Sequence, residues 1–281
     1  MNDRDWTTVI RPRNPWFHLD ISELWRCRDL ITLFVRRDFV AQYKQTILGP
    51  LWYFVQPLLT TVVFTLVFGR IAQIPTDGIP DFLFYLSGTV CWGFFSACLT
   101  QTADTFVSNA AMFGKVYFPR LAVPISIAIS CLFRFFIQLG LFLIFLAYFS
   151  VEGAAVTLSI WLLALPLLVL QMGVLAIGCG ILVSSLTTRY HDLRYVVVFG
   201  VQLWMYATPV VYPLSVVPEN LRIVLAFNPM VTVVEAFRMG FLGVSTLTAT
   251  YVLISWIVTL ILLLIGLMLF SRVEKTFMDT V

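Results

Sequence analysis

Residues 36–57, RRDFVAQYKQTILGPLWYFVQP, decide the fold class of this chain of 281 residues. Their first half carries three cations, Arg36, Arg37 and Lys44, and their second half opens a charge-free apolar run. The halves meet at a glycine-proline pair, and Pro50 fits the first turn of a helix because no backbone donor is needed there. The stretch therefore predicts a cationic helix that turns directly into a membrane-spanning helix.

The composition of the whole chain is that of a membrane protein. It is 60% hydrophobic and 12% charged, with a mean hydropathy of +0.92, whereas soluble domains are about 45–50% apolar and about 25% charged. The net charge of +3 does not indicate nucleic-acid binding. The five cysteines are scattered without a CxxC pair and both histidines stand alone, so we expect neither a disulfide framework nor a metal site.

Charge-free intervals show where helices can cross a membrane, which takes roughly 20 mostly apolar residues. Six intervals qualify: 45–69, 82–103, about 121–149 (interrupted by Arg134), part of 153–188, the residues after Arg194, and part of 239–271. The polar start of the chain has no apolar signal core, so we expect the first span to be an uncleaved anchor. We predict an all-α integral membrane protein with a six-helix domain over 49–272, an amino-terminal arm (1–48) and a short tail (273–281).

The distribution of Lys and Arg predicts the orientation of these spans. One alternating set of segments holds most of the 18 basic residues: 1–50, 104–120, 187–195 and 272–281. Basic loops remain on the cytoplasmic side of a membrane. Both termini are therefore expected in the cytoplasm.

The arm is predicted to contain an amphipathic helix over residues 20–46. Seven apolar residues fall on one side of that helix: Ile21, Leu24, Trp25, Ile31, Val35, Phe39 and Tyr43. Arg26, Arg37 and Lys44 fall on another side, and a helix with this pattern tends to lie in the membrane interface. Its basic side could bind anionic lipid or dock a cytoplasmic protein, and the pattern leaves both open.

Residues 213–243 are predicted to form a hairpin between the fifth and sixth spans. The Asn228-Pro229 pair splits its helical pattern, with Asn228 as a helix cap. Neither piece is long enough to span, so a re-entrant pair protected by protein fits best, with a surface amphipathic helix as the alternative. Glu235 and Arg238 stand three residues apart, close enough to pair on one helix face.

Arg134 falls near the middle of the third span. A central arginine costs roughly 2.5–3.5 kcal/mol on insertion scales, so it should face the bundle or a wet cavity. Ser130 and Gln138 lie one helical turn to either side. An internal hydrogen-bond network is the preferred explanation, and a direct phosphate or sugar contact is the alternative.

Several short motifs occur together in a characteristic order. RRDF, QYKQT, LGPLW and the proline of VQP are followed by KVYFPRLAVP (115–124), HDLRY (191–195), TPVVYP (208–213) and NP (228–229). Together they resemble the type-2 ABC permeases that export polysaccharide and polyol phosphate. The resemblance covers nearly the full chain.

The resemblance implies a homodimer of this chain with two copies of a cytoplasmic ABC ATPase. Its cargo would be a lipid-linked, O-antigen-like polysaccharide crossing the bacterial inner membrane, and membrane lipids would be further partners. Capsular polysaccharide or teichoic acid export remains open, and a small-molecule or drug exporter is a weaker alternative.

The resemblance also implies roles for particular residues. The ATPase would dock on the arm and on a coupling loop at 105–120, through Arg36, Arg37, Lys44, Lys115, Tyr117 and Arg120. The first and fifth spans would line the channel, with Tyr53, Phe64, Phe68, Trp204 and Tyr206 as aromatic candidates. The hairpin would be an outer gate, carried by Pro213, Glu219, Arg222, Asn228, Glu235 and Arg238. Simple positive-inside topology is the alternative for the basic residues, and ordinary packing is the alternative for the aromatic ones.

The chain carries no nucleotide-binding loop of the GxxxxGK[ST] type. Its one Gly-Lys pair, Gly114-Lys115, is followed by Val116, and Asn109 stands in place of the first glycine. ATP and Mg²⁺ are therefore expected on a separate chain, with no cofactor here. An ion-coupled transporter would place acidic residues within its spans, and an intramembrane glycan enzyme would need paired carboxylates or a metal cluster. Neither pattern is present.

Overall fold

The computed structural model describes residues 21–44, 47–113, 115, 118–154, 157, 159–188, 192–244 and 247–280. Every regular element in this part of the chain is a helix. The predicted arm before Ile21, residues 45–46 of the arm and the docking candidate Tyr117 lie outside the described residues. The all-α prediction is confirmed.

Within the described residues, five helical stretches are long and apolar enough to cross a membrane: Gly49–Ile71, Asp81–Ala103, Ala122–Val151, Ile160–Thr187 and Ala249–Val273. The first contains α3 (Trp52–Phe64) and ends in a π-helical turn, Thr65–Ile71. The next four contain α4 (Asp81–Ala103), α7 (Ala122–Val151), α8 (Leu165–Thr187) and α12 (Ala249–Thr280). The chain is therefore a multi-pass membrane protein.

The predicted fifth span is shorter than a membrane-crossing helix. It forms α9, Leu193–Tyr206, of 14 residues, which is about 21 Å long against a hydrocarbon core of about 30 Å. The chain then continues without regular helix through Thr208, Val210 and Val211, all of them buried. Non-helical backbone is tolerated at membrane depth only where protein covers it, and this segment meets that condition.

Helix α4 lies at the centre of the bundle and packs against α3, α7, α8 and α11 (Pro229–Leu242). Small residues allow the closest helix approaches around it, as is common in membrane bundles. A Cβ on Gly180 would lie 2.5 Å from Cβ of Thr102 on α4, and a Cβ on Gly178 would lie 2.9 Å from Cα of Leu263 on α12. Because these positions have no side chain, α8 can pack closely against α4 on one side and α12 on the other.

The predicted hairpin consists of α10 (Glu219–Ala226) and α11 (Pro229–Leu242), which are bent by 106° at Asn228. The Asn228 side chain caps α11 by accepting a hydrogen bond from the Met230 backbone N–H at 3.1 Å. Every residue of α11 except Met239 is buried. The predicted split and cap are confirmed, and α11 is not a surface helix.

The arm forms α1 (Ile21–Arg26) and α2 (Arg28–Tyr43), and α2 packs against α7. Phe34 is its buried anchor, with its ring 5.7 Å from that of Phe118. Trp25 and Phe39 of the predicted apolar stripe are exposed on the protein surface. Leu24 and Ile31 of the same stripe pack against the core, so the predicted stripe includes residues from both the bundle-facing and the exposed side of the arm.

The segment between α4 and α7 contains two single-turn helices, α5 (Thr105–Ser108) and α6 (Ala110–Phe113). Phe106 and Phe113 are buried, with ring centroids 5.9 Å apart. This segment lies at the same end of the bundle as the arm, because Phe113 also contacts Phe118, the partner of Phe34. We call this the arm end of the protein, and it is the predicted cytoplasmic end.

Candidate functional site

A cavity of about 670 Å³ lies between α3, α4, α7 and α9. Its neutral polar lining includes Gln56, Thr60, Thr89, Ser96, Gln138 and Gln202. Its aromatic lining is formed by Trp52, Tyr53, Phe64, Trp92, Phe94 and Phe135. Among the described residues around it, Arg134 is the one charged side chain. The cavity thus offers neutral hydrogen-bonding groups, flat apolar faces and a single cation.

The structure places several predicted residues in this cavity. Tyr53 and Phe64 line it from α3, and Arg134 and Gln138 line it from α7. The prediction that Arg134 faces a cavity beside Gln138 is therefore confirmed.

Sequence analysis missed other lining residues, although their spacing carried a signal. Trp52, Gln56, Thr60 and Phe64 recur every four residues on α3 and form one helix face. Two of the four, Gln56 and Thr60, are polar, and polar residues one helical turn apart within a span are unusual for lipid contact. That regularity could have identified the cavity side of α3.

Three predicted channel residues do not line the cavity. Phe68 packs in the π-helical turn, with its ring 5.4 Å from Phe64 and 6.4 Å from Tyr85. Tyr206 is 48% exposed on the surface of α9. Trp204 lies behind the cavity against Phe95, at 5.0 Å between ring centroids. For these residues a role in the channel remains a prediction.

Trp204 instead joins α9 to the hairpin. Its indole N–H donates a hydrogen bond to Asn228 Oδ1 at 3.0 Å. The Asn228 amide in turn donates to Thr208 Oγ1 at 3.0 Å and to the Ala207 carbonyl at 3.3 Å. One side chain therefore caps α11 and holds the end of α9 against it.

Arg238 fastens α11 to the rest of the bundle. Its side chain is 1% exposed, and its guanidinium donates to the carbonyls of Pro209 and Val210 at 2.6 and 2.9 Å and to Ser87 Oγ at 3.2 Å. It also lies 3.6 Å above the ring of Phe84. A single cation thus ties α11 to α4 and to the buried segment after α9.

The predicted pair of Glu235 and Arg238 is confirmed, with Oε1 and Nη1 3.4 Å apart and both side chains buried. The close fit around the guanidinium also depends on Gly88. A Cβ there would lie 2.9 Å from the Val210 carbonyl oxygen and 3.1 Å from Arg238 Nη2. We call Arg238, Glu235, Gly88 and their partners the arginine clamp.

The other hairpin residues lie nearer the surface. Arg222 donates to the Ser215 carbonyl at 2.6 Å, and Ser215 Oγ donates to Asp77 at 2.7 Å. The loop between α3 and α4 is thereby joined to the start of the hairpin. Pro213 is buried beside this junction, and Glu219 is exposed at the first turn of α10.

The model of one protein family, the ABC-2 type transporter, matches residues 29–242. That match includes α2, the cavity and both hairpin helices. The chain belongs to the ABC-2 type transporter family.

Named relatives of this ABC-2 chain are similar over most of their length. The O-antigen export system permease protein RfbA of Klebsiella pneumoniae is 27% identical over 252 residues, which are 89% of this chain and 94% of the relative. The protein of the same name from Myxococcus xanthus is 30% identical over 225 residues, 79% and 83% of the two chains. The capsule polysaccharide export inner-membrane protein CtrC of Neisseria meningitidis serogroup A is 24% identical over 260 residues, 88% and 91%.

The arm of the ABC-2 chain presents three exposed docking candidates, and one of them, Arg37, has a partner within the arm. Arg36 and Lys44 are exposed on α2 and at its end. Arg37 is engaged within the arm, because its Nη2 lies 2.8 Å from an Asp38 oxygen and its guanidinium lies 4.9 Å from the ring of Phe34. Arg36 and Lys44 are therefore better placed than Arg37 to meet another protein.

The coupling-loop candidates also differ in exposure. Lys115 is exposed, whereas Arg120 is only 8% exposed and lies 5.5 Å from the ring of Phe113. At the start of this loop, Asp104 forms an ion pair with Arg194, with Oδ1 and Nε 2.7 Å apart. Sequence analysis did not predict this pair, which joins the loop to the first turn of α9.

Proposed function

We propose that this chain is the membrane-spanning permease subunit of an ATP-driven exporter for a lipid-linked cell-surface polysaccharide. Its family and the names of its relatives support this class of transporter. The observation that carries the proposal is the cavity, with aromatic faces and neutral polar groups around a single arginine. An O-antigen-like glycan is the preferred cargo, and the protein would work in the bacterial inner membrane with both termini cytoplasmic.

The lining chemistry suits a sugar chain that must keep moving. Aromatic rings can contact the apolar C–H faces of successive pyranose rings without fixed hydrogen bonds, and neutral side chains can exchange hydrogen bonds with hydroxyl groups. Ligand sites built this way combine apolar walls with few polar anchors. Weak and repeated contacts permit transport, whereas a strongly charged lining would hold the cargo in place.

One copy of the chain forms only one side of such a path. Leu59 on α3 is 59% exposed and Phe199 on α9 is 61% exposed, beside the cavity. A second copy placed around a two-fold axis would cover these apolar faces and enclose the path, and closed two-fold dimers are the commonest oligomers. We therefore propose a homodimer.

The energy would come from a separate ATPase on the arm end. Arg36, Lys44 and Lys115 supply exposed cations there, and polar, charged contacts are typical of the rims of such interfaces. ATP and Mg²⁺ would bind to that ATPase, and this chain would hydrolyse nothing. Force on the loop after α4 would pass through the Asp104–Arg194 ion pair into α9.

Capsular polysaccharide is the second candidate cargo, because the name of one relative describes capsule export. Teichoic acid would require the same lining chemistry. The structure favours ion-coupled transport less, since Glu235 in the described hairpin is already paired with Arg238.

Deleting the gene in its host and staining surface glycan tests the function. We expect surface polysaccharide to disappear and lipid-linked glycan to accumulate inside, with recovery only when both this chain and an ATPase subunit are supplied. Glycan export driven by an ion gradient, with no ATPase present, would contradict the proposal. Chemical analysis of the accumulated glycan would distinguish O-antigen from capsule or teichoic acid.

A further inference from the structure

Arg134 lies near the arm end of the cavity although it is close to the middle of α7. Its guanidinium is 5.6 Å from the ring of Tyr53, in the first turn of α3, and its Nη2 is 3.5 Å from Gln101 Oε1, in the last turn of α4. Both neighbours belong to the arm ends of their helices. The cation therefore stands where a substrate from the predicted cytoplasmic side would first enter.

The protein satisfies the guanidinium of Arg134 only in part, through Gln101 and an interaction with the Tyr53 side chain. Its Nε is buried and has no hydrogen-bond partner among the described residues, and its bond to Gln101 is long for an N–H···O contact. No carboxylate in the described part of the chain forms a salt bridge with it. A buried donor without an acceptor is unfavourable, so this arrangement indicates a ligand rather than a structural network.

The comparison with Arg238 makes this point stronger. Both arginines lie within the membrane domain, but Arg238 has carbonyl, hydroxyl and carboxylate partners at 2.6–3.4 Å. The guanidinium of Arg238 bonds to protein groups, whereas that of Arg134 borders a cavity and its Nε has no acceptor among the described residues. Sequence analysis preferred an internal network for Arg134, and the structure shows part of one there, to Gln101, and a fuller one at Arg238.

The surroundings of Arg134 favour an anion with several oxygen acceptors. Ser130, one turn away on α7, has a buried hydroxyl without a partner in the described part of the chain, and Gln138 lines the cavity one turn further on. A planar guanidinium binds phosphate oxygens in pairs, and such bonds strengthen where water is scarce. Described carboxylates are absent from the lining, so nothing there would repel the anion.

We propose that Arg134 binds the phosphate group through which the exported glycan is joined to its lipid carrier. This inference rests on the proposed function and names the chemical group that the cavity recognises first. The phosphate would sit beside Tyr53 and Gln101, while the prenyl chain remains in the membrane next to the exposed face of α3. The sugar chain would then follow along the aromatic lining.

The test measures binding to the full-length chain in neutral detergent by isothermal titration calorimetry. Farnesyl diphosphate is the probe, farnesol is its uncharged match, and inorganic pyrophosphate lacks the prenyl chain. We expect the diphosphate to bind at least about tenfold more tightly than farnesol, as a charge-assisted hydrogen bond predicts. Arg134→Gln should remove that preference, and Arg70→Gln, which removes an exposed cation outside the cavity, should retain it.

The outcomes separate the two possible sources of phosphate. If inorganic pyrophosphate displaces farnesyl diphosphate with a similar affinity, Arg134 recognises phosphate without a lipid. If binding requires the prenyl chain of the probe, Arg134 recognises the phosphate of a lipid headgroup. Equal binding of farnesol and the diphosphate to the wild type, or full diphosphate affinity in Arg134→Gln, would overturn the proposal.

Two further measurements keep the site testable. If the Gln variant does not elute as a single species, Arg134→Lys decides, because it keeps the charge without the planar fork. It should bind the diphosphate more weakly than the wild type, and unchanged affinity would overturn the proposal. Surface glycan that still depends on this chain, combined with unaltered binding to Arg134→Gln, would reject the site alone and leave the exporter function standing.

Discussion

Replacing Gly88 with alanine tests the arginine clamp with a single methyl group. The new Cβ would stand 2.9 Å from the Val210 carbonyl oxygen and 3.1 Å from Arg238 Nη2. Val210 belongs to the buried segment after α9, and Arg238 belongs to α11. The methyl group must therefore separate α4 from the two elements that the clamp holds against it.

The expected loss can be worked from these distances. Inserting a methyl group into a well-packed site costs typically about 1–3 kcal/mol, and replacing glycine with alanine within a helix returns about 0.5–1 kcal/mol. The clamp also loses strength if the carbonyl of Val210 moves, because its 2.9 Å bond to Arg238 is charge-assisted. We expect a net destabilisation of about 1–2 kcal/mol. The midpoint temperature of thermal unfolding should fall by roughly 2–4 °C for each kcal/mol in a domain of this size.

The assay is thermal unfolding of the purified protein in one detergent, followed by tryptophan fluorescence. Gly140→Ala is the matched control, because a Cβ there would meet nothing within 4 Å in its own helix, α7. That variant should unfold at the wild-type temperature or slightly above it. Equal midpoints for Gly88→Ala and Gly140→Ala would refute the close packing on which the clamp depends.

Further expectations concern the arm end. Replacing both Arg36 and Lys44 with glutamate should reduce co-purification of the ATPase about fivefold or more, as a loss of about 1–2 kcal/mol in rim contacts predicts. The control Arg70→Glu, at the exposed opposite end of the first span, should have no effect. Equal recovery of the ATPase from both variants would mean that the arm binds lipid and not the ATPase. Asp104→Arg should lower glycan export without lowering ATPase recovery, because it breaks the ion pair with Arg194. Adding Arg194→Asp restores opposite charges and should restore export. If the double variant does not recover export, the ion pair transmits no motion.

The sequence was most informative wherever charge or a helix breaker interrupts the apolar pattern. The ends of α4 and the division of the hairpin at Asn228 followed from such interruptions, and the pairing of Glu235 with Arg238 followed from helical spacing. These signals are local, so a single chain is enough to recognise them. The same reasoning placed Arg134 beside a cavity, since a charged side chain cannot face lipid at low cost.

The sequence was least informative about which side of each span faces the cavity. Most of these helices are apolar on all sides, so hydrophobic periodicity shows no direction except on α3, where Gln56 and Thr60 mark the cavity side. Tyr53 and Trp204 are both aromatic, yet one lines the cavity and the other packs behind it. The end of α9 could not be predicted from the sequence for a similar reason, because the buried non-helical segment after it is as apolar as a membrane helix. Only the packing of one helix on another distinguishes these cases.

The contacts of α9 indicate which part of the protein can move without unfolding it. Among its residues, all of which the structure describes, only Val201 is buried. Its ends are nevertheless held, by Arg194 to Asp104 and by Trp204 to Asn228. A helix fixed at two points and loosely packed between them can tilt as a rigid rod. The arginine clamp meanwhile keeps α4 and α11 together, so a displacement at Asp104 would change the width of the cavity before it disturbs the hairpin. Coupling through a discrete, two-ended element of this kind needs no rearrangement of the core.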